Sequence, residues 1–341
     1  MHVLRVGLIT LVGVASVMVG ATPATAEADP RVTTNEALRA GVVTHRAADD
    51  AAEQRRITDY WTPARMRAAR SADSVAPGAV GRSISAPEPV GERKSVAPIP
   101  APDSAAVRAV ASSIEWTGGG TVAWTTGKVF FTRLGYEWVC SGSVVSSANR
   151  DMVVTAGHCV HGVIDWQGNT GFFENFVFVP AYHNGARPVG TFTARSLHAL
   201  NKWTSRSDFN YDVGVALMNP LNGRDVADTV GAQGITFNEP RNTFMYAFGY
   251  PSGPPFDGER LIACASTVFP DTIGGTQSQG MTCDMTPGSS GGPWFFQFDA
   301  ARGLGYVNSV NSFLYTNHPN MMWGPYFGSA IESLYQRTQA A

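Results

Sequence analysis

Beyond residue 110 the chain is cut into short β-rich runs by Gly, Pro, Asn and Asp, and few folds accept that pattern. The runs include Lys128 to Thr132, Trp138 to Val145, Met152 to Thr155, Phe176 to Val179, Val213 to Met218 and Phe244 to Phe248. Each has the length of a strand. Helical periodicity is sustained only at the end, where Ile331, Leu334 and Tyr335 share a face and Ser329 with Glu332 reads as a capping box. No repeat of solenoid or propeller length is present. The expectation is an all-β domain closed by one C-terminal helix.

Composition changes near residue 110. From Glu27 to about Pro102 the chain is rich first in Ala, Arg, Asp and Glu, then in Ser, Pro and Val, which suits a helical or partly disordered pro-segment ending in a linker. Ahead of it, His2 and Arg5 precede an uncharged apolar run from Val6 to Val19, followed by Ala24-Thr25-Ala26, the pattern of a cleaved export signal. That run is shorter than the roughly 20 residues needed to span a bilayer. The expected division is a signal peptide at 1–26, a pro-segment and linker at 27–110, and a main domain at 111–341. The protein is expected outside the cell, without a stable membrane anchor.

With 44% hydrophobic residues, 15% charged and a formal net charge of -2, the chain can bury a full core and carries no long basic block. Nucleic-acid and anionic-membrane partners are set aside on that ground. Four cysteines, Cys140, Cys159, Cys264 and Cys283, read as two disulfides in an exported protein, with three pairings open. No C-x-x-C pair supports zinc. His158 and His161 could share a helical face, but no carboxylate supports a metal pair, so neither metal nor other cofactor is expected. The phenylalanines at 172, 173, 176 and 178 read as barrel core.

Acyl transfer to a hydroxyl needs a base beside the nucleophile, a carboxylate orienting that base, and N–H donors for the oxyanion. Thr155-Ala156-Gly157-His158-Cys159 puts a histidine just after a β-run. Tyr211-Asp212-Val213-Gly214-Val215-Ala216-Leu217 puts an aspartate at the mouth of an apolar strand, with Asp208 as a competitor. Gly288-Ser289-Ser290-Gly291-Gly292-Pro293 lets the backbone bend tightly, so that the N–H groups of Gly288 and Ser290 can converge on an oxyanion. Each motif alone has a plain structural reading as a core histidine, a turn aspartate or a flexible loop.

Together, and in this order, they resemble the trypsin/chymotrypsin superfamily of serine endopeptidases, nearest to bacterial secreted trypsin-like and glutamyl-endopeptidase-like members. The resemblance runs from about residue 115 to the C-terminus. It implies two packed six-stranded antiparallel β-barrels, chymotrypsin-like, with the cleft between them and protein or peptide substrates. It places the general base on His158, its orienting acid on Asp212, the nucleophile on Ser290, and the oxyanion donors on Gly288 and Ser290. It also implies the pairings Cys140 with Cys159 and Cys264 with Cys283. A monomer is expected.

Two departures stand out. The residue before the nucleophile is Ser289, where animal trypsin-like members carry the aspartate that pairs with a new N-terminus. The strand from Gly305 to Ser312 lacks Ser-Trp-Gly, so its contact with the substrate backbone is not carried over. Asp284, six residues before Ser290, stands where trypsin-like relatives place the base of the specificity pocket, and a buried carboxylate there would select Arg or Lys. The alternative is Glu-directed cleavage, against which no histidine occurs between Gly305 and Phe313. The rival class is a catalytically silent binding module on the same scaffold, disfavoured by the intact trio.

Overall fold

The computed structural model describes residues 41–72, 90–101, 113–163 and 170–341. The export signal, the linker before residue 90 and the boundary at residues 110–111 lie outside the described residues.

Six strands close into a first barrel in the order Thr126–Arg133, Tyr136–Val144, Met152–Thr155, Gly214–Met218, Phe192–Leu200 and Glu174–Pro180, which returns to the first. Every adjacent pair is antiparallel. Closure removes the strand edges that an open sheet would expose. The strand Gly214–Met218 is buried along its whole length, which explains why it reads as a continuous apolar run instead of an alternation. Phe173, Phe176 and Phe178 lie in the core, whereas Phe172 is half-buried and stacks on His45 with 5.3 Å between ring centroids.

The second half is built less regularly than two closed antiparallel barrels imply. A seven-stranded sheet runs Lys94–Val96, Gly234–Phe237, Leu304–Val310, Pro293–Asp299, Phe244–Gly249, Ile262–Thr267 and Ile114–Glu115. Its pairing of Gly234–Phe237 with Leu304–Val310 is parallel. A separate sheet joins Phe269–Pro270, Gln279–Thr282 and Met321–Gly324. The two sheets are stitched by the Cys264–Cys283 disulfide and by Thr282 N–H donating to Ser266 Oγ at 3.0 Å. Between them Met245, Met281, Met285, Trp294 and Met322 form an apolar interior.

Where it is described, the stretch read as a pro-segment is built into both halves, with Lys94–Val96 in the seven-stranded sheet and residues 42–71 on the first barrel. Val42–Arg46 pairs antiparallel with residues 196–200, and Arg70–Ser71 pairs parallel with Trp138–Val139. Between them lie helix Ala51–Tyr60, capped by the Asp50 carboxylate, and helix Pro63–Ala68, capped by Thr62. These turns deliver Ile57, Trp61 and Met66 into the main core. Trp61 is 1% exposed, and its indole N–H donates to Asn175 O at 2.6 Å.

The C-terminal helix spans Ser329–Thr338 and buries Ile331, Leu334 and Tyr335 as the periodicity predicts. The capping box does not form. Gly328 is the N-cap, and Glu332 reaches outward to Lys94 Nζ at 2.6 Å instead of back to the helix start. A cation supplied by the neighbouring strand has drawn the carboxylate away.

Candidate active site

The strand Met152–Thr155 ends in a single 3₁₀ turn, Gly157–Cys159, that carries His158. The Cys140–Cys159 disulfide ties that turn to the adjacent strand, so the imidazole hangs from a fixed backbone. A second 3₁₀ turn, Phe209–Tyr211, ends at Asp212. Its cap is Asp208, which accepts from Asn210 N–H at 3.0 Å. The two candidate acids are thereby separated: Asp208 holds the turn, and Asp212 faces the histidine.

Asp212 is fully buried and accepts three hydrogen bonds. Its Oδ1 takes the His158 backbone N–H at 2.7 Å, and its Oδ2 lies 2.7 Å from His158 Nδ1. Ser312 Oγ donates to Oδ2 at 2.5 Å. A buried carboxylate requires such partners, and with them it fixes the tautomer that leaves Nε2 as the basic nitrogen. Ser312 was missed in the sequence because the strand lacks Ser-Trp-Gly. Ser312-Phe313-Leu314 stands in its place, and the hydroxyl at the end of the strand was the available signal.

The Gly288–Gly292 turn that carries Ser290 is held from both sides. Gly291 N–H donates to Asn311 O at 2.8 Å, and Asn311 Nδ2 donates to Ser289 O and Phe248 O, each at 3.0 Å. Ser141 reaches it from the first barrel: its N–H donates to Ser290 O at 2.7 Å and its hydroxyl to Gly288 O at 3.0 Å. The Ser141 carbonyl in turn accepts from Thr155 Oγ1 at 2.7 Å, three residues before His158. Ser290 and His158 are thus carried on backbone segments cross-linked by one serine, Ser141. Gly288 has φ +102°, and a Cβ there would meet Ser252 Oγ at 2.2 Å, so only glycine fits. Gly291, at φ +79°, would meet Thr155 Oγ1 at 2.0 Å. Ser290 is 2% exposed; Ser289 is fully buried, and its hydroxyl has no partner among the described residues.

The basic-pocket expectation needs a buried carboxylate at Asp284, and this side chain is exposed. Cys283 and Met285 turn inward, and the extended chain between them leaves Asp284 exposed. Leu314 packs half-buried against the apolar cluster that holds Met285 and Met322. On the other side of the histidine, Trp203 stands with its ring 6.3 Å from the imidazole and its N–H donating to His161 O at 3.0 Å. His161 itself is buried beside Phe172, and burial pushes its pKa down to about 4. Both disulfides join the cysteines that the resemblance pairs.

The structure thus joins His158 to the Asp212 carboxylate and ties the backbone of the Gly288–Ser290 turn to the same barrel through Ser141. Comparison with known proteins gives the family. A profile described as a trypsin-like peptidase domain matches residues 140–300. The protease Anisep from Arthrobacter nicotinovorans is 44% identical, with 64% of this chain and 96% of that chain covered and a TM-score of 0.59. The thermostable serine protease AL20 from an extremophilic microorganism is 40% identical, with 65% and 99% covered and a TM-score of 0.60. A Glu endopeptidase is 17% identical, with 68% and 98% covered and a TM-score of 0.54, a likeness of fold. No curated protein matches the sequence. In fold and in sequence, the chain belongs to the trypsin-like serine endopeptidases.

Proposed function

We propose that the protein is exported and cleaves peptide bonds through an acyl-enzyme on Ser290. His158 takes the serine proton as the bond to the substrate carbonyl forms, and gives it to the departing amine. Asp212 orients the imidazole and stabilises its charged form. The N–H groups of Gly288 and Ser290 receive the oxyanion. Supporting this reading most directly is the triple anchoring of the Asp212 carboxylate by His158 and Ser312, beside a nucleophile turn braced by Ser141. Two disulfides and the leader pattern at Met1 to Ala26 support export.

For specificity, the Asp284 carboxylate is exposed and so offers no desolvated counter-charge for Arg or Lys, which favours substrates with a neutral, apolar residue before the scissile bond. An ion in a slot without a counter-charge forfeits its hydration. A peptide series varied at that residue tests this: Leu or Phe should exceed Arg and Glu in kcat/KM by at least about ten-fold. A preference for Arg that disappears in Asp284→Asn would restore the acidic pocket. Replacement of Ser290 by Ala should lower kcat by on the order of 10⁴ or more with the fold intact, and an equally active variant would end the acyl-enzyme reading.

A further inference from the structure

Among the described residues, Lys128 is the one Lys or Arg that is buried, at 2% exposure. Lysine is almost never fully buried without a partner, and this one lies on the first barrel facing the loop Tyr250 to Arg260 of the second. Its Nζ donates to Gly258 O at 2.9 Å and stands 4.5 Å from the centroid of Tyr182 and 5.3 Å from that of Phe130. The aromatic faces attract a desolvated cation. Tyr182 completes the clamp: its hydroxyl donates to the Glu259 carboxylate, 2.9 and 3.0 Å from its two oxygens, and its carbonyl accepts from Tyr250 OH at 2.9 Å. Asn184 N–H donates to Glu259 O at 2.9 Å.

The same loop grips the nucleophile turn. Ser252 N–H donates to Pro287 O at 2.7 Å, and Ser252 Oγ donates to the same oxygen at 3.1 Å. Gly253 and Thr286 exchange a further pair, with Gly253 N–H donating to Thr286 Oγ1 at 3.0 Å and Thr286 Oγ1 donating to Gly253 O at 2.7 Å. Tyr250 N–H donates to Ser141 Oγ at 2.9 Å, the hydroxyl that donates to Gly288 O. One face of the loop is therefore fixed to Lys128 and Tyr182, and the other to Thr286, Pro287 and, through Ser141, Gly288.

We infer that Lys128 is a positioning residue for catalysis, a cross-barrel tether that holds the Tyr250–Arg260 loop and through it sets the oxyanion donors on the Gly288–Ser290 turn. Its charge is the costly part of the device. Burial pushes its pKa down to about 8, while Glu259 and Asp257 act in the opposite direction. A neutral apolar side chain would pack there without that penalty, so stability alone does not account for a lysine. The oxyanion contribution depends on sub-ångström placement of its donors, which a displaced loop would spoil without altering the substrate groove.

The test rests on the Ser290 reading and compares the full-length parent protein with Lys128→Met and Tyr182→Phe. The latter keeps the ring and the packing volume while removing the hydroxyl that holds Glu259. Both are assayed for kcat, KM and affinity for a peptide aldehyde, alongside the non-covalent peptide acid of the same sequence. The aldehyde adds Ser290 Oγ to its carbonyl carbon, passes the hydroxyl proton to His158 and places an oxyanion against the two N–H donors. We expect Lys128→Met to lose about ten-fold in kcat and in aldehyde affinity, with KM and peptide-acid affinity within about two-fold. Tyr182→Phe should move the same quantities in the same direction by about three-fold, and decides alone if the lysine variant does not fold. An active parent whose foldable variants stay within two-fold, or lose aldehyde and acid affinity equally, overturns the tether. A parent inert toward peptide and aldehyde overturns it together with the active-site reading.

Discussion

At the residue scale the site separates groups that carry chemistry from neighbours that look alike in sequence. Ser289 and Ser290 are adjacent hydroxyls, yet the Ser289 hydroxyl is buried without a partner among the described residues. Removing an unsatisfied buried hydroxyl costs nothing in hydrogen bonding. Ser289→Ala should therefore keep kcat within about three-fold and hold or raise the melting temperature, as thermal denaturation and steady-state kinetics would show. Ser312→Ala should behave differently. It strips one donor from a fully buried carboxylate, and we expect a loss of roughly 1–3 kcal/mol in stability and a fall in kcat with little change in KM. Full kcat in that variant would show that His158 alone holds Asp212 in place. The motifs around His158, Asp212 and Ser290 were legible because their chemistry sits in contiguous residues. Ser141, Ser312 and Lys128 were not, because each acts through a partner at least 100 residues away, and nothing local marks it.

At the element scale, the six β-rich runs all fall on strands, since period and turn residues are local signals. The stretch before residue 110 was harder to read: its charged helices and short strands have no apolar period of their own, and their order comes from docking. Trp61 shows the consequence, with its ring 5.4 Å from Phe130 and its N–H on Asn175. Trp61→Ala should cost about 3–5 kcal/mol, measured by denaturant unfolding of the full chain. A cost below 1 kcal/mol would mean that the segment rests on the barrel without supporting it. The same docking buries His198, whose ring nitrogens lie 2.9 Å from Thr44 Oγ1 and 2.9 Å from Ser196 Oγ. Burial lowers its pKa from 6.5 to about 4, so the unfolded chain binds the proton more readily. Its stabilising effect is present above pH 6.5 and is lost as pH falls toward 4. His161 has the same sign, whereas Asp151, raised to about 6 by burial, has the opposite sign and offsets part of the loss. The melting temperature should fall between pH 7 and pH 4.5, less steeply in His198→Gln; equal slopes would exclude His198 from the linkage.

For the whole molecule, the two halves meet where Ser141 and Lys128 of the first barrel reach the Gly288–Ser290 turn and the Tyr250–Arg260 loop of the second. The proposed general base, His158, belongs to one half and the proposed nucleophile, Ser290, to the other, so on that reading activity requires both to fold and dock. Each disulfide closes a loop of 19 residues within its own half, worth about 3 kcal/mol by loop-closure entropy. The central claim is that one serine, activated across this junction, is the nucleophile. A serine-directed phosphonate, followed by peptide mapping of the full chain, tests it most directly. A single adduct on Ser290 is expected, formed at neutral pH, suppressed in acid, and absent in both Ser290→Ala and His158→Ala. An adduct on Ser289 or on a serine outside the Gly288–Gly292 turn, or labelling of Ser290 that persists unchanged in His158→Ala, would contradict it.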